Sequence, residues 1–498
     1  MVFLLVLLLA IVFICFYNFY YKRLGLPPGP TPWPILGNMA EIAQKPPGTD
    51  VFFEWRDKYG PVFTYWMGEK PVVAFADYKT LDQTFNKDGE NFAGRDFFPE
   101  FYLSLKSYST LGLTGMEGTL WKEHRAFIMR SFRSLGMTKS AAQGQVLIEI
   151  SSMFQNIDDQ IQAGVVKHDI CKYIDLVIGN MGNIFLFGHG FSKNHHNDYA
   201  TLRDQVHRYM AAVMTPAALL VMSHPHIFRH LPYFKGVYKE VEDRVYDMLC
   251  YMDRQIQEHI AEKENKAGSN DDYVSAFLEE VEKRDGKDGF TIPALRAILV
   301  DLWIGSQDAT CTTLSWGVLY CVHYPDKQKK VQEELDRVVS SDRLVTLDDK
   351  DNLPYATAFC QEIQRLSNVV TQNLLHRNHR ETTVNGFKLK AGTSIMGLIT
   401  TVLYDPDVFE NPKSFEPERF LDSEGRVIPC NELIPFSTGR RICPGEALAK
   451  AEIFLIFANL LNRYELRPVA GEPKPSLKRN FGFSVAPDPF RVEIVTRE

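Results

Sequence analysis

Residues Val2 to Tyr21 form a run of 20 with no charged side chain, rich in Leu, Val, Ile and Phe, and Lys22 and Arg23 follow at once. At about 1.5 Å of rise per residue, a helix of that length spans about 30 Å, the thickness of a bilayer core. The basic pair marks the cytoplasmic end by the positive-inside rule. The competing reading is a cleaved signal peptide. That would need a basic start, a shorter apolar stretch and a small-residue cleavage site, and none is present. No second run of this kind follows. The sequence therefore predicts a single-pass anchor over residues 1–23 and a body on the cytoplasmic side.

Pro27, Pro28, Pro30, Pro32 and Pro34 come next. Each proline fixes its own φ and lacks an N–H, so the stretch cannot continue a helix. Residues 24–38 read as a stiff hinge, with Trp33 and Ile35-Leu36-Gly37 expected to pack it onto the body rather than leave it disordered.

Residues 39–498 form that body. Across the chain 45% of residues are hydrophobic and 23% charged, which excludes a disordered or collagen-like polymer. Acidic residues number 62 and basic ones 55, a net charge of −7. That balance offers no surplus of Lys and Arg to neutralise phosphates, so no nucleic-acid partner is expected. Eight cysteines with no C-x-x-C pair make neither a disulfide scaffold nor a structural zinc site, and they suit a reducing compartment.

Apolar residues recur at helical spacing over Tyr238 to Glu264, Ile292 to Tyr324, Lys327 to Val339 and Ala447 to Tyr464. Strand signals are few: Val62 to Trp66 and Pro71 to Phe75 around Gly68, then Thr383 to Ser394 with turns at Gly386 and Gly392. Glu262 to Asp272 reads as a polar surface loop. The expected class is mainly α with a small β portion (α+β), without a clear domain boundary in the body.

The most informative segment is Phe436-Ser-Thr-Gly439-Arg440-Arg441-Ile-Cys443-Pro444-Gly445, directly before an apolar helix. A helix N-terminus offers free N–H groups and a positive dipole end, and both favour a thiolate. Arg441 adds positive charge two residues from Cys443. By these features alone Cys443 is either a reactive thiolate or a small buried cysteine.

The pattern F-x-x-G-x-R-x-C-x-G resembles the heme loop of the cytochrome P450 family, with Phe436, Gly439, Arg441, Cys443 and Gly445 at its fixed positions. The resemblance runs from the anchor to Phe481-Gly-Phe483-Ser. It implies the P450 fold, with heme between a long distal helix and a proximal cysteine loop, and Cys443 as the thiolate ligand of iron. Three Glu-x-x-Arg spacings occur: Glu334/Arg337, Glu362/Arg365 and Glu416/Arg419. Only Glu362/Arg365 has the family's position, with Arg419 as third member of a triad that supports the heme pocket. Trp121 and Arg125 match the family's W-x-x-x-R helix. With Arg95, His376 and Arg441 they are expected to hold the heme propionates.

The distal helix departs from the family pattern Ala/Gly-Gly-x-Asp/Glu-Thr-Thr. Here it reads Gly305-Ser306-Gln307-Asp308-Ala309-Thr310. Asp308 keeps the proton-delivering acid, Ala309 replaces the key threonine, and Ser306 replaces a glycine. Thr310 is turned about 100° from Ala309. Ser306, three residues before Ala309, shares its face, which raises two expectations: that Ser306 partly substitutes for the missing hydroxyl, or that O–O cleavage is impaired. Asp308, Ser306 and Thr310 are the candidate distal residues.

Phe97, Phe98, Phe101, Tyr102, Met210, Met214, Val369, Val370, Leu374, Phe481 and Phe483 fall at the family's pocket positions, which implies a lipophilic substrate such as a fatty acid, sterol or xenobiotic. Lys122, Arg130, Arg133 and Lys139 would face an NADPH-dependent flavoprotein reductase. The resemblance thus implies a monooxygenase of the endoplasmic reticulum membrane that uses O2. The alternatives are a reductase-independent heme-thiolate isomerase or dehydratase of peroxides, raised by Ala309, and a non-catalytic heme or lipid binder.

Overall fold

The structure is a computed structural model describing residues 2–45, 49–105, 110–135, 140–191, 196–264, 272–339, 343–480, 482 and 484–497. Its main helices are α1 (Val2–Phe19), α2 (Gly118–Ser134), α3 (Ser140–Gln162), α4 (Ile170–Phe187), α5 (His196–Val213), α6 (Pro232–Glu264), α7 (Ile292–His323), α8 (Pro325–Val338), α9 (Pro354–Ser367) and α10 (Glu446–Arg463). The four helices expected from periodicity are α6, α7, α8 and α10.

α7 is the axis of the molecule. Thr291 caps it, accepting from Ala294 N at 3.3 Å, and Pro293 sits in its first turn, where a missing N–H costs nothing. Leu295, Ile298, Leu314, Val318 and Leu319 are buried, because α4, α9 and α10 pack around it and α3 closes the group from the far side of α4 and α10. α4 is apolar and long enough to cross a membrane, but most of it is buried in this bundle. α1 passes the same test, and most of its described side chains are exposed.

The largest sheet has β1 (Val62–Met67), β2 (Lys70–Phe75), β3 (Gly94–Arg95), β4 (His376–Arg377) and β5 (Ser394–Gly397) in the order β1-β2-β5-β4-β3. β2 runs parallel to β5 and the other pairings are antiparallel. The register of β3 against β4 sets Arg95 opposite His376. Thr382–Val384 pairs with Phe387–Leu389 around Asn385-Gly386, as the second strand cluster predicts. Two features were not expected. β3 and β4 are too short to show alternation, and Tyr464–Arg467 leaves α10 directly as a strand paired with Glu493–Thr496. Of the expected loop from Glu262 to Asp272, residues 265–271 lie outside the described residues. Residues 262–264 complete α6, and Asp272 caps the next helix by accepting from Ser275 N at 2.8 Å.

The hinge packs, but not through the side chains expected. Trp33, Ile35 and Leu36 are exposed. The contact is backbone to backbone: Thr64 N of β1 donates to Pro28 O at 2.9 Å. A Cβ at Gly29 would lie 1.8 Å from Thr64 O, so only glycine permits this approach. Lys22 then pairs with Glu69 at 2.8 Å, and Asn18 Nδ2 donates to Pro32 O at 2.7 Å, fixing α1 to the body.

Candidate active site

The Cys443 loop is a tight turn docked onto the sheet side of the molecule. Gly439 adopts φ +83°, and a Cβ there would lie 2.1 Å from Phe85 O, so the position admits only glycine. Cys443 N donates to Phe436 O at 3.1 Å and closes the turn. The Lys450 ammonium lies 5.6 Å from the centre of the Phe436 ring. Gly445 is the N-cap of α10, with open space where a Cβ would stand.

Cys443 is exposed on the front of the loop while protein crowds its sulfur from behind. That burial raises the thiol, while the N–H groups of Gly445 and Glu446 and the Arg125 guanidinium work the other way, toward the thiolate. The helix N-terminus acts as expected, but the cation is Arg125, not Arg441. Arg125 Nη2 donates to Ile442 O at 2.6 Å, one residue from the sulfur. Arg441 turns away: Nε donates to Ala93 O at 2.9 Å and Nη2 to Met116 O at 2.6 Å, and its guanidinium lies 3.9 Å over the Trp121 ring. Trp121 therefore acts through Arg441.

Arg95, Arg125, Arg441 and His376 converge in front of this loop. Arg95 Nη1 donates to Leu374 O at 3.2 Å, and its Nε is buried without a partner. Burial, then repulsion from Arg125, lowers Arg95 to about 10; burial, then Arg95, lowers Arg441 to about 8. His376 stacks on Phe85 at 4.4 Å, donates its Nδ1–H to Phe92 O at 2.8 Å, and is held neutral by burial and by Arg95 and Arg441. Glu117 accepts from the Arg95 backbone N–H and pairs with Arg377, and among the described residues it is the carboxylate that opposes the lowering of both Arg95 and Arg441. Sequence reasoning missed Glu117, because nothing in its neighbourhood marks it. A cationic hollow this poorly neutralised suits a dianionic group, and heme carries two propionates.

Behind the loop, Glu362 and Arg365 are fully buried. Arg365 Nε and Nη2 donate to the two Glu362 oxygens at 2.7 and 2.8 Å, and Arg419 Nε donates to Oε1 at 3.2 Å. Arg365 also reaches Leu403 O at 2.9 Å and Pro412 O at 2.8 Å, tying α9 to the segment that leads to the cysteine loop. The other two spacings do different work. Glu334 receives Tyr355 N at 3.0 Å and Ala356 N at 2.8 Å, anchoring the start of α9, while Glu416 pairs at 3.6 Å with Arg419.

On α7, a Cβ at Gly305 would meet nothing within 4 Å, so this face is open. Ala309, four residues on, shares it. Ser306 does not. Its Oγ donates to Trp303 O at 3.0 Å and lies 2.9 Å from where a Cβ on Gly182 of α4 would stand. The expectation that Ser306 replaces the threonine therefore fails: one helical step swings it against α4, where its hydroxyl is already spent. Ser306→Ala is accordingly expected to leave product formed per NADPH unchanged; a drop in that ratio would contradict this placement. Thr310 is buried. Asp308 is raised to about 6 by burial and by the Asp175 carboxylate, with Arg203 acting in the opposite sense.

Of the expected pocket residues, Phe97 stacks on Tyr102 at 5.7 Å, and the Tyr102 and Tyr209 hydroxyls meet at 2.9 Å. Phe98 is buried, with the Lys70 ammonium 5.4 Å from its ring centre. Phe101 is wholly buried against Tyr238, so it belongs to the core. Val369 is also buried, and its carbonyl accepts from Val485 N at 2.9 Å. Met210, Met214, Val370 and Leu374 are half-buried. Phe481 and Phe483 lie outside the described residues. Lys122, Arg130 and Arg133 form an exposed stripe along α2, with Lys122 paired to Glu90 at 2.8 Å. Lys139 lies outside the described residues.

Comparison with known proteins agrees with this geometry. The family model described as Cytochrome P450 matches residues 27–494. The chain is 31% identical to Probable cytochrome P450 CYP36A1 of Caenorhabditis elegans, covering 99% of both chains. It is 30% identical to Cytochrome P450 2K1 of Oncorhynchus mykiss over 95% of this chain and 92% of that protein, and 31% identical to Cytochrome P450 2C8 of Homo sapiens over 90% and 89%. With this match over nearly its whole length, and with a cysteine loop and a cationic hollow beside it, the chain belongs to the cytochrome P450 family, the oxidoreductases that work with thiolate-ligated heme iron and electrons from a reductase.

Proposed function

We propose that this chain is a membrane-anchored monooxygenase that inserts one atom of O2 into a lipophilic substrate, with electrons from an NADPH-dependent flavoprotein reductase. The observation that carries the reading is the exposed Cys443 sulfur at the N-terminus of α10 beside the Arg125 guanidinium, which adjoins the buried cations Arg95 and Arg441. Cys443 would hold the iron, and Arg95, Arg125 and His376 would hold the propionates, with Trp121 and Arg441 behind them. Phe436, Gly439 and Gly445 shape the loop, and Glu362, Arg365 and Arg419 brace it. Heme, when bound, supplies the activation of oxygen. The protein's share is to orient the substrate, exclude bulk water and hold a proton at the Asp308 carboxyl.

The apolar rings of Phe97 and Phe98 support a lipophilic substrate, and the exposed α2 stripe supports an acidic redox partner. The outward apolar surface of α1 and the basic Lys22 and Arg23 support a single-pass place in the endoplasmic reticulum membrane, with residues 39–498 as the cytoplasmic catalytic domain. A second reading, isomerisation of peroxides without a reductase, is favoured by one observation: Ala309 and the diverted Ser306 leave the acid without a neighbouring hydroxyl on the open face.

Turnover under isotopically labelled O2, with reductase, NADPH and a panel of fatty acids and sterols, separates the two. Label in an organic product is expected. Conversion of an added lipid hydroperoxide without reductase, and no labelled product with it, would overturn the monooxygenase reading.

A further inference from the structure

The cationic hollow in front of the Cys443 loop is flanked by a carboxylate that a cation outside the hollow has claimed. Glu117 stands in extended backbone at the N-cap of α2, yet its side chain does not cap that helix. Its Oε1 accepts from the Arg95 backbone N–H and from Arg377 Nε at 3.1 Å, and its Oε2 pairs with Arg377 Nη2. Two donors of one guanidinium therefore hold both oxygens, the two-pronged geometry that fixes a carboxylate in place. Among the described residues Glu117 is ion-paired with Arg377 alone. The Arg377 stem reaches it by lying across β3: a Cβ at Gly94 would stand 2.7 Å from both Arg377 Cγ and Arg377 O, so glycine opens the path. The Arg377 side chain is 43% exposed, whereas Arg441, whose Nη2 donates at 2.6 Å to the carbonyl of Met116, the residue before Glu117, is buried. Arg95, whose N–H Glu117 accepts, keeps its Nε buried without a partner. Burial and then Arg125 act against the charge on Arg95, and Glu117 acts for it.

We propose, on the reading of this hollow as the propionate site, that Arg377 is a positioning residue for heme: its fork holds the Glu117 carboxylate at the rim and so leaves the Arg95 guanidinium, with Arg441 behind it, open to a propionate. A side-chain carboxylate and a propionate compete for the same cations. The side chain competes at high effective concentration, because it is tethered beside them. Freed from Arg377, Glu117 has only to turn about its own side-chain bonds to meet Arg95, since it already bonds that residue's N–H. Asp96, the other acid that acts on Arg377, is engaged by Lys70 at 2.7 Å and by Ser394, so it does not draw Arg377 away from Glu117. Arg377 acts through Glu117 and touches no heme atom itself.

The test is a double-mutant cycle on the anchored, heme-loaded chain, read by the rate of heme transfer to excess apomyoglobin and by the midpoint potential of the iron. Arg377→Leu is expected to release heme about tenfold faster, because Glu117 now competes for Arg95. The ratio of reduced to oxidised iron at fixed potential is expected to fall about threefold, or about 30 mV at 59 mV per tenfold, because a negative charge joins the hollow. Adding Glu117→Gln is expected to cancel both changes. With Arg377 present, Glu117→Gln alone is expected to change either by less than about twofold. Equal effects of Glu117→Gln with and without Arg377 overturn the proposal, since Arg377 would then act on its own or only support the strand. If Arg377→Leu does not fold, Arg377→Lys enters the same cycle. It keeps the charge without the fork, heme release is expected about threefold faster, and the same criterion decides. Arg95→Leu separates this proposal from the reading beneath it. Heme released no faster than from the wild type removes the propionate site and the proposal with it. Faster release from Arg95→Leu, with equal Glu117→Gln effects in the cycle, overturns the proposal alone.

Discussion

Glu362→Ala is expected to yield no stable heme-loaded protein. Glu362 is fully buried and accepts from Arg365 twice, from Arg419 at 3.2 Å and from Glu416 N at 2.9 Å. Removing it leaves the Arg365 guanidinium, also fully buried, with no counter-charge at bonding distance. The carbonyls of Leu403, Pro412 and Ser414 still accept from it but cannot neutralise it. Breaking one side of a buried ion pair costs about 3–5 kcal/mol, a large part of the roughly 5–15 kcal/mol that holds a typical domain together. The loss falls where α9 meets the approach to the cysteine loop, so heme retention is expected to fail before the bundle unfolds. Denaturant unfolding with heme absorbance and far-UV circular dichroism followed together checks this. A variant that keeps its heme and unfolds within about 1 kcal/mol of the wild type would show the network to be dispensable.

Asp308→Asn is expected to lower product formation about 10²-fold or more while NADPH oxidation continues into peroxide. The acid stands on the distal helix next to Ala309, and Ser306 is unavailable, so no neighbouring hydroxyl on that face shares its task. The wild-type pH profile follows from its surroundings. Burial first, then Asp175, lifts Asp308 to about 6. Below that value the carboxyl carries its proton, and above it the proton is progressively lost. Product per NADPH is therefore expected to decline as pH rises through about 6, and this dependence should vanish in Asp308→Asn, whose amide does not titrate. A variant with full coupling at every pH would remove Asp308 from the reaction.

Much of this site was legible because its chemistry is local in sequence. The Cys443 loop and the Glu362-to-Arg365 spacing each lie within one turn or one short segment, so motif and geometry coincide, whereas Trp121 lies under Arg441 and Arg125 bonds Ile442 O. Ser306 shows where that stops. A three-residue offset puts two side chains near one face of a helix, but which is open depends on the neighbour, and here Gly182 lets α4 come close enough to claim the serine. Trp33 failed for a related reason: the hinge docks through Pro28 and Gly29 backbone, and side-chain hydrophobicity says nothing about that. Glu117, Asp175 and Arg203 were invisible because their partners are brought by the fold from distant segments. Tyr464, the expected last residue of a helix, instead begins the strand Tyr464–Arg467, because pairing with Glu493–Thr496 is a tertiary contact that outweighs local period.

The central claim is that Cys443 holds the iron as thiolate while the residues around it remain as described. The most direct measurement is the absorption spectrum of the reduced, CO-bound protein, wild type against Cys443→His. The wild type is expected to show the strongly red-shifted Soret band of thiolate ligation, and Cys443→His to retain heme in the same cationic hollow with that band moved to the position typical of imidazole ligation. The same band in both proteins would mean that another residue binds the iron, and the account built on Cys443 would be wrong.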